Sequence, residues 1–228
     1  MRKVGIVGGI GPVSTVDYYR GIITGFMEKT KSNNYPEIVI NSINMTEMLS
    51  YVSLKDWSAL ANLLLSAIKN LANAGAQFAA IASNTPHIVF DEVQKQSVLP
   101  LISLIEETCK YAKLKQCEKV VIFGTQFTMS SGLYEKALKK YAVEAVVPSE
   151  SEQAAIHNII FPKLEEGIVV PEDKQKMLVI AEHILAEQNA DGLILGCTEL
   201  PLMIKDNDLD TLILNTTQIH IESIINSI

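Results

Sequence analysis

The stretch GAQFAAIASNTPH, residues 75–87, decides how the chain folds. It opens with a glycine turn, continues as an apolar run typical of a buried strand, and ends in the polar triplet Ser83-Asn84-Thr85, where we expect a helix to begin. The stretch NADGLILGCTELP, residues 189–201, repeats this plan with the triplet Cys197-Thr198-Glu199. The turn and the triplet have the same spacing in both stretches. This repetition predicts two related halves, each with a reactive or hydroxylic side chain at a strand tip.

Composition excludes several classes of protein. The 228 residues are 48% hydrophobic with a net charge of −7, enough for one large domain or two small ones, and the acidic balance argues against a nucleic-acid partner. No apolar stretch is long enough to span a membrane, no basic cluster suggests a membrane surface, and the first apolar run is too short for a signal peptide. Three cysteines without disulfide or zinc spacing favour a reducing compartment. We expect a cytoplasmic protein.

A second repeat supports the division into halves. The opening KVGIVG, residues 3–8, returns as KVVIFG, residues 119–124. Further strands are predicted at 37–43, 77–82, 100–104, 143–147, 193–196 and 212–214, and helices at 57–74, 150–166 and 173–188. The alternation predicts an α/β protein of two pseudosymmetric, doubly wound parallel-sheet halves, with the active site in the cleft between them at the carboxyl ends of the strands.

We place the first half at residues 1–108, joined by a C-terminal helix at about 216–228, and the second half at residues 109–215.

Cys197 is the strongest candidate for chemistry. It stands between a strand end and an expected helix start, where the helix dipole and nearby donors would lower the pKa of the thiol and produce a thiolate. At the matching tip, Asn84 and Thr85 supply an amide and a hydroxyl, although one of them could simply cap the following helix. His87 is more often a packed or capping residue than a base.

Two glycine-containing turns are candidate anion sites. The first, Gly8-Gly9-Ile10-Gly11-Pro12, precedes a helix that Ser14 or Thr15 would cap. The second, residues 124–128, offers Thr125 and Thr128 to a carboxylate, or is an ordinary helix start. The first turn fails the dinucleotide fingerprint, because serine follows where the third glycine belongs and no acidic residue ends the second strand. No Walker loop, metal-ligand cluster or Ser-His-Asp motif is present.

These motifs together resemble the aspartate/glutamate racemase family, and more closely its aspartate or broad-specificity amino-acid racemase branch. The resemblance covers the whole chain, and its most specific motif is Gly196-Cys197-Thr198-Glu199. It implies two pseudosymmetric α/β domains, a homodimer and no cofactor. Members use two cysteines on opposite sides of the substrate Cα, one removing the proton and the other returning it. The implied substrate is a small amino acid, aspartate or glutamate.

The resemblance also assigns roles. Cys197 and Ser83 occupy the two acid/base positions. Lys163 is a candidate for the distal carboxylate of the substrate, with a solvated lysine as the alternative. The full set of implied substrate-binding residues is Gly11, Pro12, Asn84, Thr85, Thr125, Thr128, Lys163, Thr198 and Glu199.

Ser83 departs from the family, which has cysteine at this position. A serine hydroxyl is a poor base at neutral pH and a weaker proton donor than a thiol. Either Ser83 is an engineered change, or it is natural and the enzyme is slow or one-sided, or the protein performs single-cysteine chemistry as a decarboxylase or isomerase. A protein that binds a dicarboxylate without catalysis is an alternative of a different class, and a dinucleotide enzyme is a weaker one.

Overall fold

The computed structural model describes every residue from Met1 to Ile228. The chain divides into two compact units, one formed by Met1–Leu104 with His220–Ile228, and the other by Ile105–Ile219. The assignment of functional domains at residue 108 and about residue 216 stays a prediction.

The first unit is built on a four-stranded parallel sheet in the order β2-β1-β3-β4. Its strands are β1 (Val4–Gly8), β2 (Ile38–Ser42), β3 (Phe78–Ile81) and β4 (Leu101–Ile102). The helices that follow or flank them are α1 (Pro12–Thr30), α2 (Met45–Leu54), α3 (Trp57–Asn73), α4 (Phe90–Gln96) and most of the C-terminal α11 (Thr216–Asn226). Helix α5 (Leu104–Leu114) begins at the last residue of the segment Met1–Leu104 and belongs otherwise to the second unit.

Helices cover both faces of this sheet. Apolar side chains of α1 and α11 form one core cluster with Val4, Ile6 and Phe78. On the other face Gly5 lies against Leu71 of α3. As a result every residue of β1 and β3 is buried, which is why both strands are continuous apolar runs.

The second unit repeats this arrangement with the strand order β6-β5-β7-β8, again all parallel. Its strands are β5 (Lys119–Phe123), β6 (Glu144–Val146), β7 (Gly192–Leu195) and β8 (Leu212–Asn215). Its helices are α6 (Gln126–Ser130), α7 (Leu133–Leu138), α8 (Glu150–Ile159), α9 (Pro171–Gln188) and α10 (Leu200–Met203). The identical strand order confirms the predicted class of two parallel-sheet α/β halves.

Strand pairing places the important loops side by side within each unit. β1 pairs with β3, and the ladder ends where the amide of Ala82 donates to the carbonyl of Val7 at 3.0 Å. β5 pairs with β7 in the same way, and the amide of Gly196 donates to the carbonyl of Phe123 at 2.6 Å. The loops after paired strands therefore start from one edge of each sheet.

The turn after β1 depends on a glycine and a threonine. Gly9 has φ of +87°, and a Cβ there would lie 2.3 Å from the carbonyl oxygen of Ile43. The hydroxyl of Thr15 accepts from the Gly9 amide at 2.8 Å and donates to the carbonyl of Gly11 at 3.1 Å. The prediction that Ser14 or Thr15 caps α1 is wrong, because Gly11 is the N-cap residue and makes no side-chain cap.

Two further sequence predictions need correction. The helix predicted over 150–166 ends at Ile159 and gives way to a wide turn at Ile160–Leu164, since Phe161 is extended (φ −102°, ψ 135°) and Pro162 lacks an amide hydrogen. The strand predicted at 100–104 spans only Leu101–Ile102. Helix α2 was not predicted at all.

We predict that Thr15→Val destabilises the protein by about 1–3 kcal/mol, because the buried Gly9 amide loses its acceptor while the side chain keeps its volume. Urea unfolding at neutral pH measures the change. Thr24→Val in the same helix is the matched control, since that exposed hydroxyl bonds only to the carbonyl of Arg20. Equal effects of the two substitutions would contradict the role given to Thr15.

Candidate active site

In the first unit, Ser83 lies two positions beyond β3 and is 9% exposed. Asn84 is buried and occupies the N-cap position of a 3-10 turn at Thr85–Val89, but its side chain makes no capping bond there. The alternative that Asn84 serves as an ordinary helix cap is therefore wrong. Thr85 is half-buried. The loop at residues 83–85, hereafter the Ser83 loop, brings two hydroxyls and an amide to the strand tip.

His87 follows the Ser83 loop and is a packed histidine. One ring nitrogen, Nδ1, lies 2.8 Å from the carbonyl oxygen of Ser83, and the other, Nε2, accepts a hydrogen bond from the amide of Leu104 at 3.1 Å. Burial lowers the pKa of His87 to about 3, so the ring is neutral at physiological pH. Neither nitrogen is left to act as a base.

The start of α1 lies beside the Ser83 loop, because β1 and β3 are neighbours. Gly11 and Pro12 form this start, and α1 carries neither a side-chain cap nor an acidic residue in its first turn. The positive end of the helix dipole therefore remains available to an anion at the same edge of the sheet.

In the second unit, the loop after β5 leads directly into the capped N-terminus of α6. Thr125 caps α6 by accepting from the amide of Thr128 at 3.3 Å, and the two hydroxyls lie 3.1 Å apart. Thr128 is almost fully buried, whereas Thr125 is half-buried. Of the two hydroxyls, that of Thr125 is the better placed to contact a ligand, and Thr128 holds it in place.

Cys197 follows β7 and is 6% exposed. Its thiol donates to Oε2 of Glu199 at 3.0 Å, and the hydroxyl of Thr198 donates to the same oxygen at 2.9 Å. Glu199 is itself only 3% exposed. The structure thus joins the whole triplet in one buried thiol-hydroxyl-carboxylate cluster.

The expected lowering of the Cys197 pKa is wrong. Burial raises the pKa of the thiol well above its usual value, and the negative charge of Glu199 and its hydrogen bond raise it further. Helix α10, which follows, has only four residues and cannot compensate for this. At rest the group is a thiol that donates to a carboxylate.

Glu165 belongs to the same cluster and was not predicted. It lies directly after the wide turn at Ile160–Leu164, and its carboxylate, the Cys197 thiol and the Glu199 carboxylate have one atom each within 4.8 Å of one another. Burial raises the pKa of Glu165 to about 7, and the charge of Glu199 adds to this effect. No spacing signal in the sequence connects Glu165 with Cys197.

Lys163 lies in the wide turn itself and is exposed. No salt bridge involves its ammonium group, so it is available to a carboxylate or to solvent.

The three clustered groups include atoms that could ligate a cation. Two of these groups, the thiol and the Glu199 carboxylate, are hydrogen-bonded to each other, an arrangement suited to passing a proton.

None of the helices is both long enough and apolar enough to cross a membrane.

Comparison with known proteins identifies the family of this chain. The family model described as Asp/Glu/hydantoin racemase matches residues 7–224. The broad-specificity amino-acid racemase RacX of Bacillus subtilis is 27% identical over 202 residues, which is 86% of this chain and 85% of that protein. The crystal structure of an aspartate racemase homologue from Pyrococcus horikoshii OT3 is 36% identical with a TM-score of 0.88, covering 100% of this chain and 99% of that one. Picrophilus torridus aspartate racemase shares the fold, with a TM-score of 0.77, 22% identity and coverage of 100% and 94%.

We predict that Glu199→Gln lowers the pKa of the Cys197 thiol, because both its charge and its hydrogen bond to the thiol favour the protonated form. The thiolate absorbance near 240 nm, followed against pH, measures the shift. Cys197→Ser supplies the background from Cys109 and Cys117. Glu165→Gln should produce a smaller decrease, as its charge contributes least. A midpoint that rises or stays fixed in Glu199→Gln would refute the assignment.

We predict a pH-dependent stability difference between the wild type and Glu165→Gln. Because the folded pKa of Glu165, about 7, lies above its ordinary value of 4.5, its contribution is fully present below about 4.5 and is lost as pH rises through 7. The wild type should therefore lose stability relative to Glu165→Gln across this interval in urea unfolding. The difference should shrink in a Glu199→Gln background. A constant difference from pH 4.5 to 7.5 would count against the raised pKa.

Proposed function

Since the chain belongs to the Asp/Glu/hydantoin racemase family and is therefore an isomerase, we propose that it racemises aspartate or glutamate without a cofactor. The similarity to a broad-specificity amino-acid racemase and to an aspartate racemase homologue supports an amino-acid substrate. The observation that carries the proposal is the buried hydrogen bond from the Cys197 thiol to Glu199.

This hydrogen bond gives Cys197 a local proton acceptor. In the proposed step the thiol passes its proton to Glu199, and the resulting thiolate takes the proton from the substrate Cα. The charge on Glu199 is neutralised as the thiolate forms, so the buried cluster carries no additional negative charge. Glu165, whose pKa is about 7, is suited to sharing the proton with Glu199 near neutral pH.

The carbanion that forms requires donors around the α-carboxylate, because no pyridoxal phosphate is used to delocalise its charge. We propose that Asn84, Thr85, Thr125 and Thr198 supply these donors, together with the uncapped start of α1 at Gly11 and Pro12. Thr128 contributes by holding Thr125. Exposed Lys163 is the proposed partner of the distal carboxylate, a pairing that would favour an acidic substrate.

Ser83 occupies the position of the second acid/base. We propose that its hydroxyl donates a proton to the opposite face of Cα. Donation by Ser83 leaves an alkoxide and abstraction by Ser83 requires one. Because an alkoxide is much less stable than a thiolate, proton transfer at the Ser83 face is slow in both directions, and exchange at the Cys197 face is faster than inversion. This asymmetry is the expected signature of a serine at the second position, whether natural or engineered.

The homodimer and the cytoplasmic location also remain proposals. Exposed apolar side chains on α1 (Val13, Val16 and Tyr19) are compatible with a second copy covering that helix.

We predict that the protein exchanges the Cα hydrogen of aspartate or glutamate in D₂O, one enantiomer faster than the other. Proton NMR measures the loss of the Cα signal, and chiral chromatography measures inversion. Ser83→Cys should accelerate inversion by more than about tenfold, in line with the usual contribution of a competent general acid or base. Cys197→Ser should abolish exchange of both enantiomers.

The same experiment separates the alternatives. Exchange with retained configuration, and inversion only in Ser83→Cys, would mean that Cys197 works alone in the wild type. Calorimetric binding of a dicarboxylate, without exchange in either protein, would overturn the racemase proposal in favour of a non-catalytic binding protein.

A further inference from the structure

The imidazole ring of one buried residue, His87, is hydrogen-bonded to the backbone of the Ser83 loop. The Nδ1 atom of His87 lies 2.8 Å from the carbonyl oxygen of Ser83, while Nε2 accepts from the amide of Leu104 at 3.1 Å. A carbonyl only accepts and an amide N–H only donates, so the proton must sit on Nδ1. His87 therefore links the Ser83 loop to the first residue of α5 through one defined tautomer.

The ring itself has no freedom to turn. It is 4% exposed and stacks on Phe90 with ring centroids 5.0 Å apart and an angle of 5° between the planes. The His87 amide also donates to the carbonyl of Asn84 at 3.0 Å. Two residues of the Ser83 loop are thus fixed through their backbone carbonyls, one by the ring of His87 and one by its main chain.

A second buried histidine fixes the other end of this linkage. His220 lies with Nε2 3.0 Å from the carbonyl oxygen of Ile102, and its Nδ1 is 2.8 Å from the hydroxyl of Tyr18. Here the carbonyl requires the proton on Nε2, so the Tyr18 hydroxyl donates to Nδ1. The segment from Ile102 to Leu104, on which His87 relies, is therefore anchored independently of the Ser83 loop.

We propose that His87 is a positioning residue for the proton transfer at Ser83, acting through the Ser83 carbonyl and not on the substrate. This inference rests on the proposed racemase function. Proton transfer is sensitive to small displacements of the donor, and an error of about 1 Å can cost about 100-fold in rate. The hydrogen bond from His87 to the Ser83 carbonyl limits such displacement of the Ser83 hydroxyl, which is the weaker of the two acid/base groups.

Two substitutions of His87 each remove one of the two hydrogen bonds that its ring makes. His87→Asn places an amide near Nδ1, so it can keep the bond to the Ser83 carbonyl and lose the one to Leu104. His87→Gln reaches toward Nε2 and can keep only the Leu104 bond. We expect His87→Gln to slow inversion by about 100-fold with KM little changed, while exchange at the Cys197 face persists. His87→Asn should retain most of the inversion rate.

Tyr18→Phe is the matched control, since it removes a buried hydrogen bond to His220 but leaves the bond of His220 to Ile102 and both bonds of the His87 ring in place. It should lower thermal stability without changing the ratio of inversion to exchange at the Cys197 face. A purely structural role for His87 predicts that all three variants behave alike and that both rates fall together. That result would overturn the proposal.

A spectroscopic readout tests the linkage without relying on activity. Nitrogen-15 NMR of the wild-type protein should show His87 neutral with the proton on Nδ1, and amide hydrogen exchange of residues 83–85 should be faster in His87→Gln than in His87→Asn. The opposite tautomer, or equal exchange in the two variants, would overturn the proposal. If these results hold while the wild type exchanges no Cα hydrogen, the racemase function fails and the catalytic part of this proposal fails with it, while the linkage stands.

Discussion

Parallel pairing between two buried strands is the constraint on which each half of the protein depends. β1 pairs with β3 in one unit and β5 with β7 in the other, and all of their residues except Lys119 are buried. Burial of both faces leaves only the strand ends for polar side chains, since a polar group inside the sheet would lose its hydration. The chemistry is therefore confined to the loops that leave the carboxyl ends.

This constraint also explains what could be predicted. Strands buried on both faces are continuous apolar runs, and glycines or polar triplets mark their ends, so the two sheets and the positions of Ser83 and Cys197 follow from local sequence. Helix α2 was missed because only Met48 and Val52 are buried in it, too few for an apolar stripe. Its real signal was Asn44, whose side chain accepts from the amides of Thr46 and Glu47.

The chemical environment of Cys197 could not be predicted in the same way. The position after a strand suggested an activated thiolate, but burial and Glu199 outweigh the dipole of a four-residue helix. Glu165 reaches the thiol only because the chain breaks out of α8 and turns sharply at Ile160–Leu164. Such a contact joins residues distant in sequence, and depends on packing that no local pattern encodes. Strand tips are a local property, whereas the pKa of a group at a tip is a tertiary one.

The two halves share a scaffold but give their reactive residues different partners. At Cys197 the side chain is engaged, because its thiol donates to a carboxylate that can take the proton away. At Ser83 the backbone is engaged, because the nearby histidine holds the carbonyl and uses its second nitrogen on Leu104. His87 is neutral and both of its ring nitrogens are hydrogen-bonded to backbone groups, so it cannot activate the hydroxyl as the histidine of a serine hydrolase does. Without a base beside it, a serine is slow both to give and to take a proton, because each transfer passes through its alkoxide. The asymmetry of the proposed reaction thus follows from the surroundings of Ser83 as well as from the replacement of a thiol by a hydroxyl.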